Sequence, residues 1–394
     1  MQLHRRKDRG TADGSCATGS KPPLAVSRRF WLWSLVVLSL AGCAAPGPQV
    51  PAASAAKGPF FYPEAPAAPR IQHLLTLSSE RDLAPPRSGF ADFVAGKQTR
   101  PLALVQPYGV ALNEGKLYVV DTGAPGIAMF DLPNRRMTLQ PGAGAGRMKR
   151  PINVTFDRDG TYYVTDTGLD QVLVFDREDR LLRAFGGEAR FRPVDVAIAG
   201  ERLYVVDILN HQVHVLDKRS GSLLFKFGKA GSGVGELYQP TNIALGPDGD
   251  VFVAETGNFR VQRFKPDGTH VRFYGEVGNV PGAFARPKGV AVDRDGRVYV
   301  ADAAFQNVQV FDDGGRLLMD FGRPLPGLDG LNLPTAVRLD YEHVSQFSRY
   351  ADPRFTVEHL ILVVSQFGPN KVDVYGFGKL AGVDYGSPAA AGKR

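Results

Sequence analysis

The chain has 394 residues and a globular composition, and its many Gly (45) and Pro (29) residues predict frequent turns. Its formal net charge is +7, but residues 1–42 carry seven of the 47 Lys/Arg and two of the 40 Asp/Glu, which leaves a net charge of +2 for the rest. The basic balance therefore belongs to the N-terminal segment, and nucleic acid is excluded as an expected partner. The two cysteines, Cys16 and Cys43, exclude a disulfide or a thiolate metal cluster within the part of the chain that follows them.

The first 42 residues have the pattern of a secretory signal peptide. Arg28 and Arg29 precede an apolar stretch that is too short to span a bilayer and that ends in the sequence LAGC at Cys43. This ending resembles the bacterial lipobox, and the resemblance implies that Cys43 is diacylated and becomes the membrane-anchored N-terminus. Because Ala44 rather than Asp follows the cysteine, we expect a cell-envelope lipoprotein of the outer membrane, exposed to the periplasm or the cell surface. The paired arginines also resemble a twin-arginine signal, so export by the Sec route and export by the twin-arginine route both stay open.

Composition then divides the remaining chain into three segments. Residues 43–69 are rich in Ala and Pro without periodicity, so we interpret them as an extended tether. Residues 70–380 carry the alternating apolar pattern of a folded β domain. Residues 381–394 are rich in Gly and Ala, which predicts a flexible tail.

A repeat fills the folded domain. A proline followed by a short apolar strand recurs at intervals of 44, 42, 47, 47 and 47 residues, at Pro107, Pro151, Pro193, Pro240, Pro287 and Pro334. Within a unit, a second alternating strand ends in an acidic residue, and two more strands follow. These acids are Asp121, Asp166, Asp207, Glu255 and Asp302. We interpret them as structural residues that accept backbone N–H bonds. Four short strands in a unit of this length are typical of a propeller blade.

The sequences PKGVAVD, DGRVYVAD and NVQVF of one unit resemble the NHL repeat, and the resemblance extends from Gln106 to about Leu380. It implies an all-β fold, a six-bladed β-propeller of four-stranded antiparallel blades. The sixth unit has an insertion (residues 341–358), Ser365 in place of the acid, and no fourth strand. We therefore predict that the strand-like segment from Ile71 to Leu77 supplies that outer strand and closes the ring.

The second residue after each repeat proline defines a candidate ligand site at the mouth of the central channel. Three of these residues, Asn153, Asp195 and Asn242, come from consecutive units and offer the oxygen ligands that Ca²⁺ or Mg²⁺ prefers. Propellers of the gluconolactonase type hold a catalytic ion with Asn, Asn, Asp and Glu, but the other three positions here are Gly109, Gly289 and Ala336, so the glutamate has no counterpart.

Three arginines, each directly before a repeat proline, are predicted at the same mouth: Arg150, Arg192 and Arg286. They would repel a bare cation and favour an anionic ligand or an acidic peptide. We therefore predict no cofactor, with Ca²⁺ or Mg²⁺ as the alternative, and expect Asp195 to pair with a neighbouring arginine. His211 resembles a zinc ligand of six-bladed amidating lyases, but we interpret it as a loop residue.

The sequence contains no nucleophile-elbow, zinc-protease or phosphate-loop motif. It therefore favours a non-catalytic binding scaffold that presents a propeller face to a protein or saccharide partner. Two alternatives stay open. One is a divalent-metal-dependent hydrolase or lactonase, or a lyase-like enzyme, that acts at the channel mouth. The other is a structural accessory of a surface, export or electron-transfer assembly.

Overall fold

The structure is a computed structural model that describes residues 58–83, 101–142, 144–187 and 191–385. The predicted signal peptide, Cys43 and most of the predicted tether lie outside the described residues, as do residues 386–394 of the predicted tail. In the part of the chain that the structure describes, no helix is both long enough and apolar enough to cross a membrane.

The described chain begins with two strands, β1 (Phe60–Tyr62) and β2 (Ile71–Leu77), and a 3-10 helix at Glu80–Leu83. Five sheets of four antiparallel strands follow, which we call blades 1 to 5. Blade 1 consists of β3 (Pro107–Asn113), β4 (Lys116–Asp121), β5 (Gly126–Asp131) and β6 (Arg136–Gln140). After a 3-10 helix (Gly144–Gly146), blade 2 consists of β7 (Pro151–Phe156), β8 (Tyr162–Asp166), β9 (Gln171–Phe175) and β10 (Leu181–Gly186).

The next three blades repeat this order. Blade 3 consists of β11 (Pro193–Ala199), β12 (Arg202–Asp207), β13 (Gln212–Asp217) and β14 (Leu223–Phe227). Blade 4 consists of β15 (Pro240–Leu245), β16 (Val251–Glu255), β17 (Arg260–Phe264) and β18 (His270–Tyr274). Blade 5 consists of β19 (Pro287–Val292), β20 (Val298–Asp302), β21 (Asn307–Phe311) and β22 (Leu317–Phe321).

Blade 6 joins the two ends of the described chain. It contains β23 (Pro334–Asp340), β24 (Phe355–Ser365) and β25 (Val372–Leu380), and β2 pairs antiparallel with β25 as the fourth strand. The prediction that residues 71–77 close the ring is therefore confirmed, with the same bounds. The first strands of the blades contact one another in cyclic order, β3, β7, β11, β15, β19 and β23, and β23 contacts β3 again. The fold is thus the predicted six-bladed β-propeller.

Residues on both sides of the predicted domain (residues 70–380) also pack against blade 6. β1 pairs with β2 as a fifth strand, and Tyr62 packs at a ring-centroid distance of 6.3 Å from both Phe321 and Tyr375. The predicted tether therefore ends before Phe60. On the other side, the hydroxyl of Tyr385 accepts a bond from the backbone N–H of Leu380 (2.7 Å) and donates to the carbonyl of Pro69 (2.6 Å). The first described residues of the predicted tail are thus held against the propeller.

The insertion in the sixth unit forms a short helix, α1 (Val344–Phe347), followed by a 3-10 turn (Ser348–Tyr350). Phe347 is 0% exposed and belongs to the core between blades 6 and 1. The insertion therefore adds apolar packing at the junction where the ring closes.

The hydrophobic core consists of six clusters, one between each pair of adjacent blades. Strand alternation explains this division. Val205 and Val206 are consecutive residues of β12, and they belong to the clusters on opposite sides of blade 3. Each buried valine of this kind stabilises the fold by about 1.5–3 kcal/mol.

The repeating acids hold the connections between blades. The carboxylate of Asp166 accepts backbone N–H bonds from Lys149 (2.7 Å) and Arg150 (3.0 Å) in the preceding connection. It also accepts bonds from Gly168 (2.8 Å) and Leu169 (3.0 Å) in the following turn. Asp121 and Asp302 make the equivalent four contacts. The structural interpretation of these acids is confirmed.

A buried histidine lies between blades 5 and 6. His359 of β24 is 2% exposed, its ring stacks on Phe377 with 4.8 Å between centroids, and its Nε2 lies 3.4 Å from the hydroxyl of Tyr299. Burial, followed by the positive charge of Arg297, lowers the pKa of His359 to about 3. The folded protein therefore keeps this ring neutral at pH values at which an exposed histidine is protonated.

We expect the free energy of unfolding to fall as the pH is lowered from the ordinary histidine pKa of 6.5 toward 3. In this range the unfolded chain binds a proton at position 359 and the folded protein does not. The free energy of unfolding therefore changes by about 1.4 kcal/mol per pH unit. Urea unfolding of the native protein and of His359→Leu, each at pH 6.5 and pH 5, measures this contribution. The substitution should flatten the dependence, and equal slopes in the two proteins would contradict the assignment.

Candidate functional site

The antiparallel order of the blades defines two faces of the ring. Each first strand begins at the face where the preceding fourth strand ends, and the turns between second and third strands lie on that same face. We call it the upper face. The lower face carries the turns between first and second strands and between third and fourth strands. The repeat prolines mark the upper ends of the innermost strands, so the residues directly before them lie on the upper face.

The predicted channel-mouth side chains are buried within the ring. Asn153, Asp195 and Asn242 are each 0% exposed. Nδ2 of Asn153 donates to the carbonyl of Val194 in blade 3 (3.1 Å), and Nδ2 of Asn242 donates to Oδ2 of Asp195 (3.1 Å). These contacts join neighbouring innermost strands.

Asp195 binds an arginine from the far side of the ring. Nη2 of Arg338 lies 2.8 Å from Oδ1 and 2.9 Å from Oδ2 of Asp195. Arg338 is on β23 of blade 6, which is opposite blade 3 in a ring of six, so the ion pair crosses the central channel. The arginine partner expected for Asp195 is present, but it is not one of the three arginines that precede the prolines.

A comparison of equivalent positions in the six units could have identified Arg338 in the sequence. It is the fourth residue after its repeat proline, and the residues at this position in the other blades are small. They are Ala111, Thr155, Ala197, Ala244 and Ala291. Five small side chains leave room near the axis for one long side chain.

The remaining bonds of Asp195 also come from donors. Its Oδ2 accepts the backbone N–H of Ile243 (3.0 Å), and its Oδ1 accepts that of Val196 (2.9 Å). A divalent ion at this carboxylate would have to displace the guanidinium of Arg338. Among the described residues, no group of three or more His, Cys, Asp or Glu side chains is arranged to hold a metal ion. The Oδ1 atoms of Asn153 and Asn242 are buried and have no hydrogen-bond partner among the described residues, so they remain the oxygens that could bind a further donor.

Threonine side chains extend this joining of blades around the channel. The innermost strand is a sheet edge, so some of its backbone groups have no partner within their own blade. Thr155 donates to the carbonyl of Val196 (2.9 Å), and Thr335 donates to the carbonyl of Tyr108 (2.8 Å). Polar side chains in the channel therefore satisfy the backbone of the next blade, and this role explains their burial.

The three predicted arginines form a separate, exposed group. Arg150, Arg192 and Arg286 are all exposed on the upper face, and Nε of Arg192 lies 3.4 Å from Oδ1 of Asp170. Their backbone N–H groups, in contrast, bind the repeating acids. The six predicted site residues are thus divided into a buried channel group and an exposed surface group.

Two side chains meet across the upper end of the channel. Tyr108 of blade 1 and Lys288 of blade 5 directly follow their repeat prolines, and Nζ of Lys288 lies 5.1 Å from the centroid of the Tyr108 ring. This cation–π contact was not predicted. It narrows the mouth above the buried channel group.

His211 occupies the turn between β12 and β13 with a φ of 56°. Asp170, Phe259 and Gln306 take the same left-handed conformation at the equivalent turns of other blades. Nδ1 of His211 accepts the backbone N–H of Gln239 (3.0 Å). These features agree with the interpretation of His211 as a loop residue.

The exposed large apolar side chains also distinguish the two faces. One group lies on outer strands, and the other lies in upper-face connections and turns. The second group comprises Leu102, Val105, Leu209, Val234, Tyr238, Val277, Val280 and Phe367. None of the described lower-face turns carries such a residue. Those turns hold ion pairs instead, such as Arg297 with Asp293 (2.6 Å) and Arg180 with Asp176 (2.7 Å).

The sequence profile of the NHL repeat matches residues 237–264 and 284–311, which cover the first three strands of blades 4 and 5. The protein therefore carries NHL repeats within a six-bladed propeller. No curated protein matches the sequence.

Several solved structures are similar to this chain. A gluconolactonase from Xanthomonas campestris is 16% identical with a TM-score of 0.52, over 77% of this chain and 98% of that chain. A protein of unknown function from Bacteroides thetaiotaomicron is 15% identical with a TM-score of 0.53, over 70% of each chain. A virginiamycin B lyase from Staphylococcus aureus is 14% identical with a TM-score of 0.47, over 69% of this chain and 85% of that chain. At these identities the likeness concerns the fold alone.

Proposed function

We propose that the protein is a lipid-anchored scaffold of the cell envelope, without catalytic activity, that binds a protein partner through the upper face of its propeller. The LAGC sequence at Cys43 supports the anchor. The observation that carries the binding function is the division of the predicted site residues into a buried channel group and an exposed upper-face group. Asn153, Asp195 and Asn242 are buried and hold blades together. Arg150, Arg192 and Arg286 and the apolar side chains of the upper face are exposed, and Arg192 pairs with Asp170 only at the surface (3.4 Å), so this group is accessible to a partner.

The composition of the upper face favours a protein over a saccharide as the partner. Protein interfaces combine apolar and aromatic side chains with arginine, and this face offers all three in Val280, Tyr238 and Arg286. Because Arg150, Arg192 and Arg286 are all cationic, we expect a partner surface that is acidic.

A metal-dependent hydrolase is the competing function. Two observations favour it: the free Oδ1 atoms of Asn153 and Asn242, and their position on the innermost strands beside Asp195. The ion pair of Asp195 with Arg338 argues against it, because the carboxylate already has a cationic partner.

The scaffold proposal predicts the effect of charge reversal on a stable complex. Arg150→Glu, Arg192→Glu and Arg286→Glu, combined in the full-length protein, should abolish the recovery of a stoichiometric partner after mild cross-linking of envelopes. A matched variant with Arg158→Glu, Arg219→Glu and Arg316→Glu changes the same charge on exposed lower-face turns and should retain the partner. Cys43→Ser should release the complex from the membrane fraction. Loss of the partner from both triple variants, or from neither, would contradict the assignment to the upper face.

A further inference from the structure

Two connections of the upper face have the same construction. They join β14 to β15 (residues 228–239) and β18 to β19 (residues 275–286), and we call them the valine loops. In each loop an isolated parallel bridge pairs a residue near its start with an apolar residue near its end. These apolar residues, Leu237 and Phe284, are each 0% exposed. Both loops are therefore anchored in the core between blades.

The same loops carry the most exposed large apolar side chains of the described chain. Val234 is 70% exposed, Val277 is 67% exposed and Val280 is 60% exposed. Tyr238, at the end of the first loop, is 44% exposed, and its ring lies 5.1 Å from that of His211. Each loop thus combines a buried anchor with exposed apolar side chains.

Side chains of the following blade hold the first valine loop in place. The guanidinium of Arg260 donates to the carbonyls of Ser232 (2.9 Å), Gly233 (3.1 Å) and Glu236 (3.1 Å). Nε of Arg260 also binds the buried carboxylate of Glu255 at 2.7 Å. The carbonyls around Val234 are therefore fixed by an arginine that is itself fixed by an ion pair.

Gln309 performs the same role in the second valine loop. Its Oε1 accepts the backbone N–H of Gly282 (2.8 Å), and its Nε2 donates to the carbonyl of Ala283 (2.8 Å). A loop held in this way loses little conformational entropy when a partner binds, so its exposed valines are preorganised for contact.

We propose that the valine loops form the apolar centre of a docking surface for a protein that presents an apolar patch bordered by carboxylates. This inference rests on the proposed scaffold function and names the contact that it uses. The charge around the loops supports the choice of partner. Lys229 and Arg286 lie in the loops, and Arg192 and Lys288 lie beside them on the same face, so these cations outnumber the two acids of the loops, Glu236 and Glu276. Carboxylates around an apolar patch would complement these cations.

Two other occupants are disfavoured. A second copy docked face to face would place Arg192, Arg286 and Lys288 against the same cations. A bilayer is disfavoured because membrane-docking segments carry aromatic or basic residues at the inserted position. The residues that directly flank Val234 and Val280 are instead Gly233, Gly235, Asn279 and Pro281.

Site-specific photo-cross-linking in cells tests this inference with the full-length, anchored protein. A photoreactive phenylalanine analogue at position 234 or 280 should give one discrete protein adduct, and the same analogue at position 158 on the lower face should not. The adduct partner is then identified by mass spectrometry and purified for a direct binding measurement.

In that measurement, Val234→Asp and Val280→Asp should each weaken binding at least tenfold. Leu318→Asp is the matched control, because Leu318 is a 44% exposed apolar residue on an outer strand, and it should bind as the native protein does. An adduct with phospholipid or with a second copy, or native affinity in both valine variants, would overturn the inference. If the arginine variants lose a partner that the valine variants retain, the scaffold function stands and the valine-loop contact fails. If no partner is recovered by either method, the scaffold function itself fails.

Discussion

Replacing Arg338 with alanine should lower the free energy of unfolding by about 3–5 kcal/mol, because it leaves a buried carboxylate without its cationic partner. Asp195 is 0% exposed, whereas the Arg338 side chain is 18% exposed. After the substitution, Asp195 would retain the neutral donors of Val196, Asn242 and Ile243. These donors cannot neutralise its charge, and in a buried environment the cost of that charge remains large. Chemical denaturation at pH 7 measures the loss.

A double-mutant cycle separates the ion pair from the packing of the arginine stem. The cycle compares the native protein with Arg338→Met, Asp195→Asn and the variant that combines both. The combined variant should lose less stability than the sum of the two single losses, and the difference is the coupling free energy of the ion pair. Arg158→Ala is the control for removal of an exposed arginine, and it should change stability by no more than about 0.5 kcal/mol.

Calcium binding by the native protein and by Asp195→Ala distinguishes the ion pair from a metal site. Titration calorimetry of the native protein with Ca²⁺ should show no binding, and Asp195→Ala should leave that result unchanged. Micromolar Ca²⁺ binding that is lost in Asp195→Ala, together with a small effect of Arg338→Ala, would show that the ion-pair interpretation is wrong. The metal-dependent hydrolase would then be the better proposal.

The blades could be predicted from the sequence because their signals are local. Each repeat proline, its alternating strands and its acid lie within one unit, so the six blades can be counted along the chain. Ring closure also follows from counting, because the sixth unit lacks a strand and residues 71–77 have no blade of their own. β1 could not be predicted in this way, since its three residues are too short to show a period within an Ala/Pro-rich segment.

The channel could be predicted only in part, because its contacts join distant residues. Asp195 and Arg338 are 143 positions apart, and no local pattern pairs them. Counting from the repeat prolines correctly places Asn153, Asp195 and Asn242 on the innermost strands. It does not show that these side chains bond to the next blade, because that depends on which backbone groups the ring leaves unpaired.

The conformation of the valine loops could not be predicted from the sequence either. Residues 228–235 are rich in glycine and predict only a loop. The contacts that hold this loop come from Arg260 and Gln262 of the following blade, more than twenty positions away. A loop that appears flexible from its composition is thus held by the tertiary structure.

Deleting residues 58–77 should abolish the cooperative unfolding transition and cause aggregation. The deletion removes β1 and β2 and leaves β25 as an open sheet edge, which is a template for pairing with other chains. It also removes Ile71 and Leu77, which are both 0% exposed and belong to the cores on opposite sides of blade 6. Each such side chain is worth about 1.5–3 kcal/mol, and a whole domain is stable by only about 5–15 kcal/mol.

Two further variants make this expectation quantitative. Leu77→Ala leaves the strand in place, so a soluble protein should result with a free energy of unfolding lowered by about 2–5 kcal/mol. Truncation after Tyr385 is the control, because it spares the bonds of the Tyr385 hydroxyl with Leu380 and Pro69, and it should leave the melting temperature little changed. Thermal unfolding followed by circular dichroism, with light scattering for aggregation, compares these three variants with the native protein. If the N-terminal deletion and the C-terminal truncation were tolerated equally, the outer strand of blade 6 would contribute little, and the ring would be stabilised by its innermost strands alone.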